Sequence, residues 1–178
     1  MIRSLIALAA LPLAACAAGT PAGPASPYAV QQRLQQEASS ASAARRTTVG
    51  DQAALDRLRN NSGLTLQWIG WDYRGTLNVT QDGALVRLHG SQNGGNAPPG
   101  TKDAAAGRLT LDGAVTDIAS DHFSFDGTIT IADAPDAGRN CVRTGPMLFQ
   151  VTQNRKYWRL QNMESCRDGL TDYVDIYF

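Results

Sequence analysis

The chain has 178 residues, enough for one domain of ordinary size plus an extension. Lys plus Arg and Asp plus Glu number 16 each, so the formal net charge is zero and no basic excess points to nucleic acid. His89 and His122 lie far apart and no Cys/His set has zinc-ligand spacing, so neither a metal nor a cofactor is expected.

The first 15 residues read as an export signal. Arg3 supplies a positive charge, Leu5 to Leu11 form a short apolar run, and small residues precede Cys16. That run falls short of the about 20 apolar residues a membrane-spanning helix needs. Leu13-Ala14-Ala15-Cys16 resembles the lipobox of bacterial lipoproteins. The resemblance covers the signal alone and implies cleavage before Cys16 and diacylation of its thiol. Ala17, rather than Asp, follows the cysteine, which under that resemblance favours the outer membrane. Two or three acyl chains hold a protein firmly, since each buried CH₂ contributes about 0.8 kcal/mol. Removing Arg3 with the signal leaves the remainder one charge negative.

Residues 16–27 carry Pro21, Pro24 and Pro27 among Ala, Gly and Ser and read as a flexible tether. Residues 28–61 are expected to form a helical or partly disordered stalk. Its first part bears a thin stripe of Val30, Leu34, Ala38 and Ala41. A better-marked helix follows at about 51–60, with Asp51 as cap, Ala54, Leu55 and Leu58 on one face, and Gly63 as terminator.

From residue 62 to 178 the period is two, and the segment is expected to fold as an antiparallel β domain. Leu64, Leu66 and Trp68 alternate, then the parity slips to Trp71, Tyr73, Leu77 and Val79, as one bulge near Ile69-Gly70 would produce. Asp82-Gly83 marks a hairpin that pairs Val79 with Val86 and Leu77 with Leu88. Asp112-Gly113 and Asp126-Gly127 do not mark hairpins. A turn at either would throw Val115, Ile129 and Ile131 to the wrong face, so long strands with inward glycines are expected. Met147, Phe149 and Val151 face Leu160 and Trp158 across a turn at Asn154-Arg155, and Val174, Ile176 and Phe178 form the last strand. Segments 92–106 and 133–145 read as loops. The fold class is all-β, a small antiparallel barrel or strongly curled sandwich of about eight strands preceded by a short helical stalk. Calycin-type barrels are similar in architecture, but no motif of that group is present, and residues 62–178 point to no family.

With Cys16 lipidated, Cys141 and Cys166 remain as a pair, which an oxidising compartment turns into a disulfide contributing roughly 3.5 kcal/mol by loop closure. No catalytic constellation is recognisable. Asp82, Asp112, Asp126 and Asp168 each precede glycine, as turn residues do, and no nucleophile motif, P-loop or zinc-protease motif is present. Asp133, Asp136 and Asn140 share a loop without EF-hand spacing. His122 beside Asp121 is the one candidate general base.

One charge bias stands out: Arg139, Arg143, Arg155, Lys156 and Arg159, with no acid between Ala137 and Met163. On the strand after the turn, Arg155, Tyr157, Arg159 and Gln161 point together, and with Arg143 they are the candidate surface for a partner or ligand. A competing structural account places Asp175 on the neighbouring last strand against Arg159 as a cross-strand ion pair. The sequence therefore suggests a non-enzymatic envelope lipoprotein that binds a protein, a glycan or a small anionic ligand. A periplasmic hydrolase using His122 or an aspartate, and a structural subunit of an envelope complex, are the alternatives.

Overall fold

Apolar residues that recur at every second position must share one sheltered side, and here the sheet curls until that side faces itself. The computed structural model describes residues 32, 33, 35, 36, 46–99, 105–164, 166 and 168–178. The signal at 1–15, Cys16, the tether to residue 27, and Val30, Leu34, Ala38 and Ala41 of the stalk lie outside them. Gln32, Arg33, Gln35 and Gln36 are helical. No helix among the described residues is long and apolar enough to cross a membrane.

The elements are β1 (Thr48–Val49), α1 (Gln52–Arg59), β2 (Gly63–Leu66), β3 (Thr76–Asp82), β4 (Leu85–Asn93), β5 (Arg108–Ile118), β6 (His122–Ala132), β7 (Asn140–Gln150), β8 (Tyr157–Leu160) and β9 (Val174–Tyr177), with a 3₁₀ turn at Gly94–Asn96. The sheet runs β2-β9-β8-β7-β6-β5-β4-β3, every neighbour antiparallel, and β1 adds to β5 in parallel. Its two outer strands meet where Leu64 and Gly75 exchange backbone hydrogen bonds of 3.3 and 2.9 Å, which nearly closes the barrel. Beyond that bridge, β3 keeps β4 as its ladder partner along Thr76–Asp82. The expected antiparallel barrel of about eight strands is thus the observed one.

The interior is filled. Phe123, Phe125, Phe149 and Trp158 are fully buried with Leu64, Leu66, Leu109, Leu111, Ile129 and Ile131 around them. β5 and β6 run straight through Gly113 and Gly127, which face each other across the two strands. A Cβ on Gly127 would lie 2.5 Å from Phe125 Cζ and 2.6 Å from the Gly113 Cα, so the Phe125 ring lies directly over both glycines. The pair lets the sheet bend sharply where the aromatic fills the hollow. α1 belongs to the same core. Asp51 caps it by accepting a 2.7 Å bond from the Ala54 N–H, and Ala54, Leu55 and Leu58 are buried.

Several local expectations change. The helix ends at Asn60 rather than at Gly63. Gly63 (φ 109°) instead lets the barrel close, since a Cβ there would sit 2.1 Å from the Gly75 carbonyl oxygen. No bulge occurs at Ile69-Gly70: the chain leaves β2 at Leu66, reverses, and returns as β3. The reversal is held by buried Gln92, whose Oε1 accepts from Leu66 N–H (2.7 Å) and whose Nε2 donates to Gly70 O (3.0 Å) and Tyr73 O (2.5 Å). The β3–β4 turn is Gly83-Ala84, with Gly83 supplying positive φ, so Val79 pairs with Leu88 and Gln81 with Val86. That offset of two residues keeps every side chain on its expected face. At the β7–β8 connection Phe149 does pair with Leu160, while the positive-φ residues are Gln153 and Asn154. β4 continues to Asn93, and β7 begins at Asn140, inside segments read as loops. β7 escaped notice because its inward positions there are Cys141 and Arg143 rather than aliphatic residues.

Those two inward residues belong to a buried polar hub. Asp172 is fully buried in the segment between β8 and β9. Its Oδ1 accepts from Trp68 Nε1 (2.8 Å) and Arg139 Nη1 (3.0 Å), and its Oδ2 from Arg139 Nη2 (2.9 Å) and Arg143 Nη2. Arg143 also donates to the carbonyls of Asn162 (3.0 Å) and Met163 (3.3 Å), and Arg139 Nε reaches Asp168 (2.7 Å). Hydrogen bonding to Asp172 holds the Arg139 pKa above its ordinary value, whereas burial pulls that of Arg143 down. Cys141 and Cys166 form a disulfide beside the hub, with 25 residues of sequence separation.

Two substitutions test this architecture. Gly127→Ala drives a methyl into backbone and the Phe125 ring and should lower unfolding free energy by about 1–3 kcal/mol in chemical denaturation. Asp172→Ala leaves two guanidiniums inside the wall with less compensation and should cost about 3–5 kcal/mol. A Trp68→Phe variant, which removes one donor only, should lose about 1 kcal/mol in the same assay.

Candidate functional site

Alternation along β8 sends Trp158 and Leu160 inward and Tyr157 and Arg159 outward. Along β9 it sends Val174 and Ile176 inward and Asp175 and Tyr177 outward. The register sets Tyr157 opposite Tyr177 and Arg159 opposite Asp175. A cluster of rings and guanidiniums results on the outside of the barrel.

At its centre Arg159 Nε and Nη2 grip the two oxygens of Asp175 at 2.7 and 2.6 Å, a bidentate pair. Asp175 is fully buried although it lies on the outer face, because Arg159 and its neighbours cover it. Burial pushes its carboxyl pKa above the usual aspartate range. The Arg159 guanidinium lies over Tyr173 (4.2 Å), Tyr157 (5.1 Å) and Trp71 (5.6 Å), so one planar cation fixes three rings. The rings of Tyr157 and Tyr177 meet at 5.2 Å, tilted by 53° to each other. Arg74 lies 4.1 Å above Tyr177 and donates to Ser62 Oγ, while Arg155 donates to the Tyr157 hydroxyl (2.8 Å) and to Gln153 Oε1 (2.5 Å). Trp71 is 41% exposed, one of only three large apolar side chains so open among the described residues.

The two loops that deliver Trp71 and Tyr173 are tied together beneath them. Gln67 donates from Nε2 to Thr171 O (2.5 Å) and from its backbone N–H to Tyr173 O (3.3 Å), and its Oε1 accepts from Tyr173 N–H. Next to these bonds, Trp68 reaches Asp172. Trp71 and Tyr173 therefore each sit within three residues of a fixed anchor.

Of the residues singled out from sequence, Arg155, Tyr157 and Arg159 meet on this face. Gln161 joins them through a 2.8 Å bond from Nε2 to the Arg159 carbonyl. Arg143 does not: it points into the wall and meets Asp172 instead. Trp71, Arg74, Tyr173 and Tyr177 complete the cluster. Tyr173, Asp175 and Tyr177 alternate along the sequence and so bring two of them outward together. The pattern that aligned Trp71 with Leu77 and Val79 implied an apolar-side ring, but chain reversal between β2 and β3 instead carries Trp71 and Arg74 onto the outer face. Trp68, half-buried, serves the hub rather than the surface.

The other chemistry-bearing groups stand apart from one another. His122 Nδ1 and Asp121 Oδ1 lie 2.7 Å apart in solvent, the histidine lowers the Asp121 carboxyl pKa, and no hydroxyl or thiol bonds to that imidazole among the described residues. Asp133 accepts from Gly138 N–H (2.8 Å) and so closes its own loop. Cys141, Cys166 and Asp172 are the one group of candidate metal ligands within reach of each other among the described residues. Their donor set does not suit a cation, since both sulfurs are spent on the disulfide and both carboxylate oxygens face arginines.

Comparison with known proteins addresses the folded part. The profile of the PM1083 family matches residues 46–178. The uncharacterized protein PM1083 of Pasteurella multocida (strain Pm70) is 35% identical over 125 residues, which span 69% of this chain and 74% of that protein. No solved structure matches the chain. The absence of a recognisable motif in residues 62–178 had pointed to no family. That expectation is corrected, because a profile sums weak preferences over many core and turn positions where no single motif stands out: the chain belongs to the PM1083 family.

Proposed function

We propose that this protein is a lipid-anchored component of the bacterial envelope whose barrel is a rigid, non-enzymatic stand for one binding face. The anchor reading is supported by Leu13-Ala14-Ala15-Cys16 after a short apolar run, with acyl chains on Cys16 holding the chain to the outer membrane. The binding face comprises Trp71, Tyr157, Arg159, Tyr173 and Tyr177, with Arg155 and Gln161 at its margin.

The observation that carries this reading is the exposed Trp71 locked against Arg159, whose own charge is balanced by a fully buried carboxylate. Tryptophan, tyrosine and arginine dominate binding hot spots because large, rigid side chains gain much contact area with little loss of rotamer freedom. Here their orientation is settled before any partner arrives, which lowers the entropy cost of association. The barrel interior, filled by aromatic and aliphatic side chains, is scaffold rather than ligand chamber.

A photo-reactive residue placed at exposed Asp72, beside Trp71, should form cross-links to an envelope neighbour in cells, while one at exposed Val142 on β7 should not. Equal labelling at both positions would refute a dedicated face. Trp71→Ala should abolish the cross-link partner's retention yet lower unfolding free energy by no more than about 2 kcal/mol, because the ring lies on the outer face and its loss leaves the core intact. Cys16→Ser should move the protein from the membrane to the soluble fraction and prevent incorporation of labelled fatty acid. Unchanged sedimentation with membranes would overturn the anchor.

A further inference from the structure

We propose that the partner of this face is an acidic saccharide, an inference that rests on the Trp71–Tyr177 face being the binding surface. The face divides into two parts with different chemistry. At one end Trp71 and Tyr173 flank Arg159, and the Arg159 charge is cancelled by Asp175. This end offers ring surfaces without net charge, suited to the apolar C–H side of a sugar. At the other end the tilted pair Tyr157 and Tyr177 carries Arg155 over Tyr157 and Arg74 over Tyr177.

Those two guanidiniums differ from Arg159 in one decisive respect. Arg74 donates to the Ser62 hydroxyl, and Arg155 to the Tyr157 hydroxyl and the Gln153 amide oxygen. All three acceptors are neutral. Hydrogen bonding is met by neutral groups, and neither guanidinium forms an ion pair among the described residues, Arg155 interacting with the covered Asp175 only at longer range. A carboxylate replaces a neutral acceptor favourably, because an ionic hydrogen bond is roughly twice as strong. A ring to stack and a carboxylate to pair are the two features of a uronic-acid-type sugar.

Other anionic partners fit less well. An extended peptide would add to a sheet edge, but this face is carried by β8 and β9, which are inner strands of the sheet. A single-stranded nucleic acid also stacks on rings, yet it requires a basic track along its backbone, and the chain has equal numbers of acids and bases.

The test uses the detergent-solubilised full chain with four probes: a hyaluronan tetrasaccharide, neutral chitotetraose, octaglutamate and an eight-residue oligothymidylate. Calorimetry and tryptophan fluorescence at low salt should show the hyaluronan fragment binding at least ten-fold more tightly than chitotetraose. That preference should disappear in Arg74→Gln/Arg155→Gln, and Trp71→Ala should weaken both sugars. Should the double variant fail to fold, salt supplies the second measurement: added sodium chloride should weaken the acidic sugar and leave the neutral one unchanged. Equal affinity for the two sugars would overturn the proposal, and so would octaglutamate or oligothymidylate binding as well as the acidic sugar. Binding of no probe, with the cross-links beside Trp71 intact in cells, would remove the saccharide and leave the binding face standing. Loss of both would remove the face itself.

Discussion

Asp172 brings a negative charge into the wall of the barrel, and donors from separate parts of the chain meet it there. Trp68 comes from the reversal after β2, Arg139 from the segment entering β7, and Arg143 from β7 itself. A buried carboxylate without donors is expensive, so each of these segments is held where the carboxylate can be satisfied. The disulfide from Cys141 to Cys166 fastens the same region covalently, and Arg139 adds Asp168. The short strands β8 and β9, which have only a few ladder bonds, are thereby given a fixed neighbour on the side where β7 no longer pairs with β8.

The external face follows from that constraint. Tyr173 is adjacent to Asp172 in sequence, and Trp71 lies three residues beyond Trp68, so the anchoring of one carboxylate sets the positions of two rings. Arg159 and Asp175 complete the arrangement from the strands. Their pair differs from an ordinary surface ion pair, since Asp175 is fully covered and the guanidinium lies 4.2 and 5.1 Å from the ring centres of Tyr173 and Tyr157. A surface salt bridge usually contributes little because both side chains must be ordered for it to form. Here aromatic contacts order Arg159 in any case, and the pair adds direction to a cluster already in place.

The strand pattern could be read in advance wherever a strand was amphipathic. Phe123, Phe125, Ile129 and Ile131 kept one face through Gly127, and Leu109, Leu111 and Val115 did so through Gly113. Reading failed where side-chain polarity and direction disagreed. β7 turns Cys141 and Arg143 inward, and the segment after β2 reverses around the buried amide of Gln92. Such positions look like loop in a sequence because their partners are supplied from far along the chain. The β3–β4 register was displaced by two residues for a smaller reason: Gly83 is the first residue of its turn rather than the second, a choice that backbone geometry makes and composition does not.

By itself the sequence determined that residues 62–178 must curl, because period-two alternation over long strands leaves one apolar side to shelter. It also placed Arg155, Tyr157 and Arg159 on one side of their strand and Asp175 on the facing side of the last. The Arg159–Asp175 pair follows from that placement, whereas only the tertiary structure decided that Arg143 meets Asp172. Arg143 and Arg159 have the same side chain and both lie in strands, yet one is drawn inward by Asp172 and the other lies outward on Asp175. It alone brought Trp71 and Arg74 to the tyrosines, since contact between residues about a hundred positions apart depends on how the sheet closes. Local pattern fixes which way a side chain points, whereas closure fixes what it finds there.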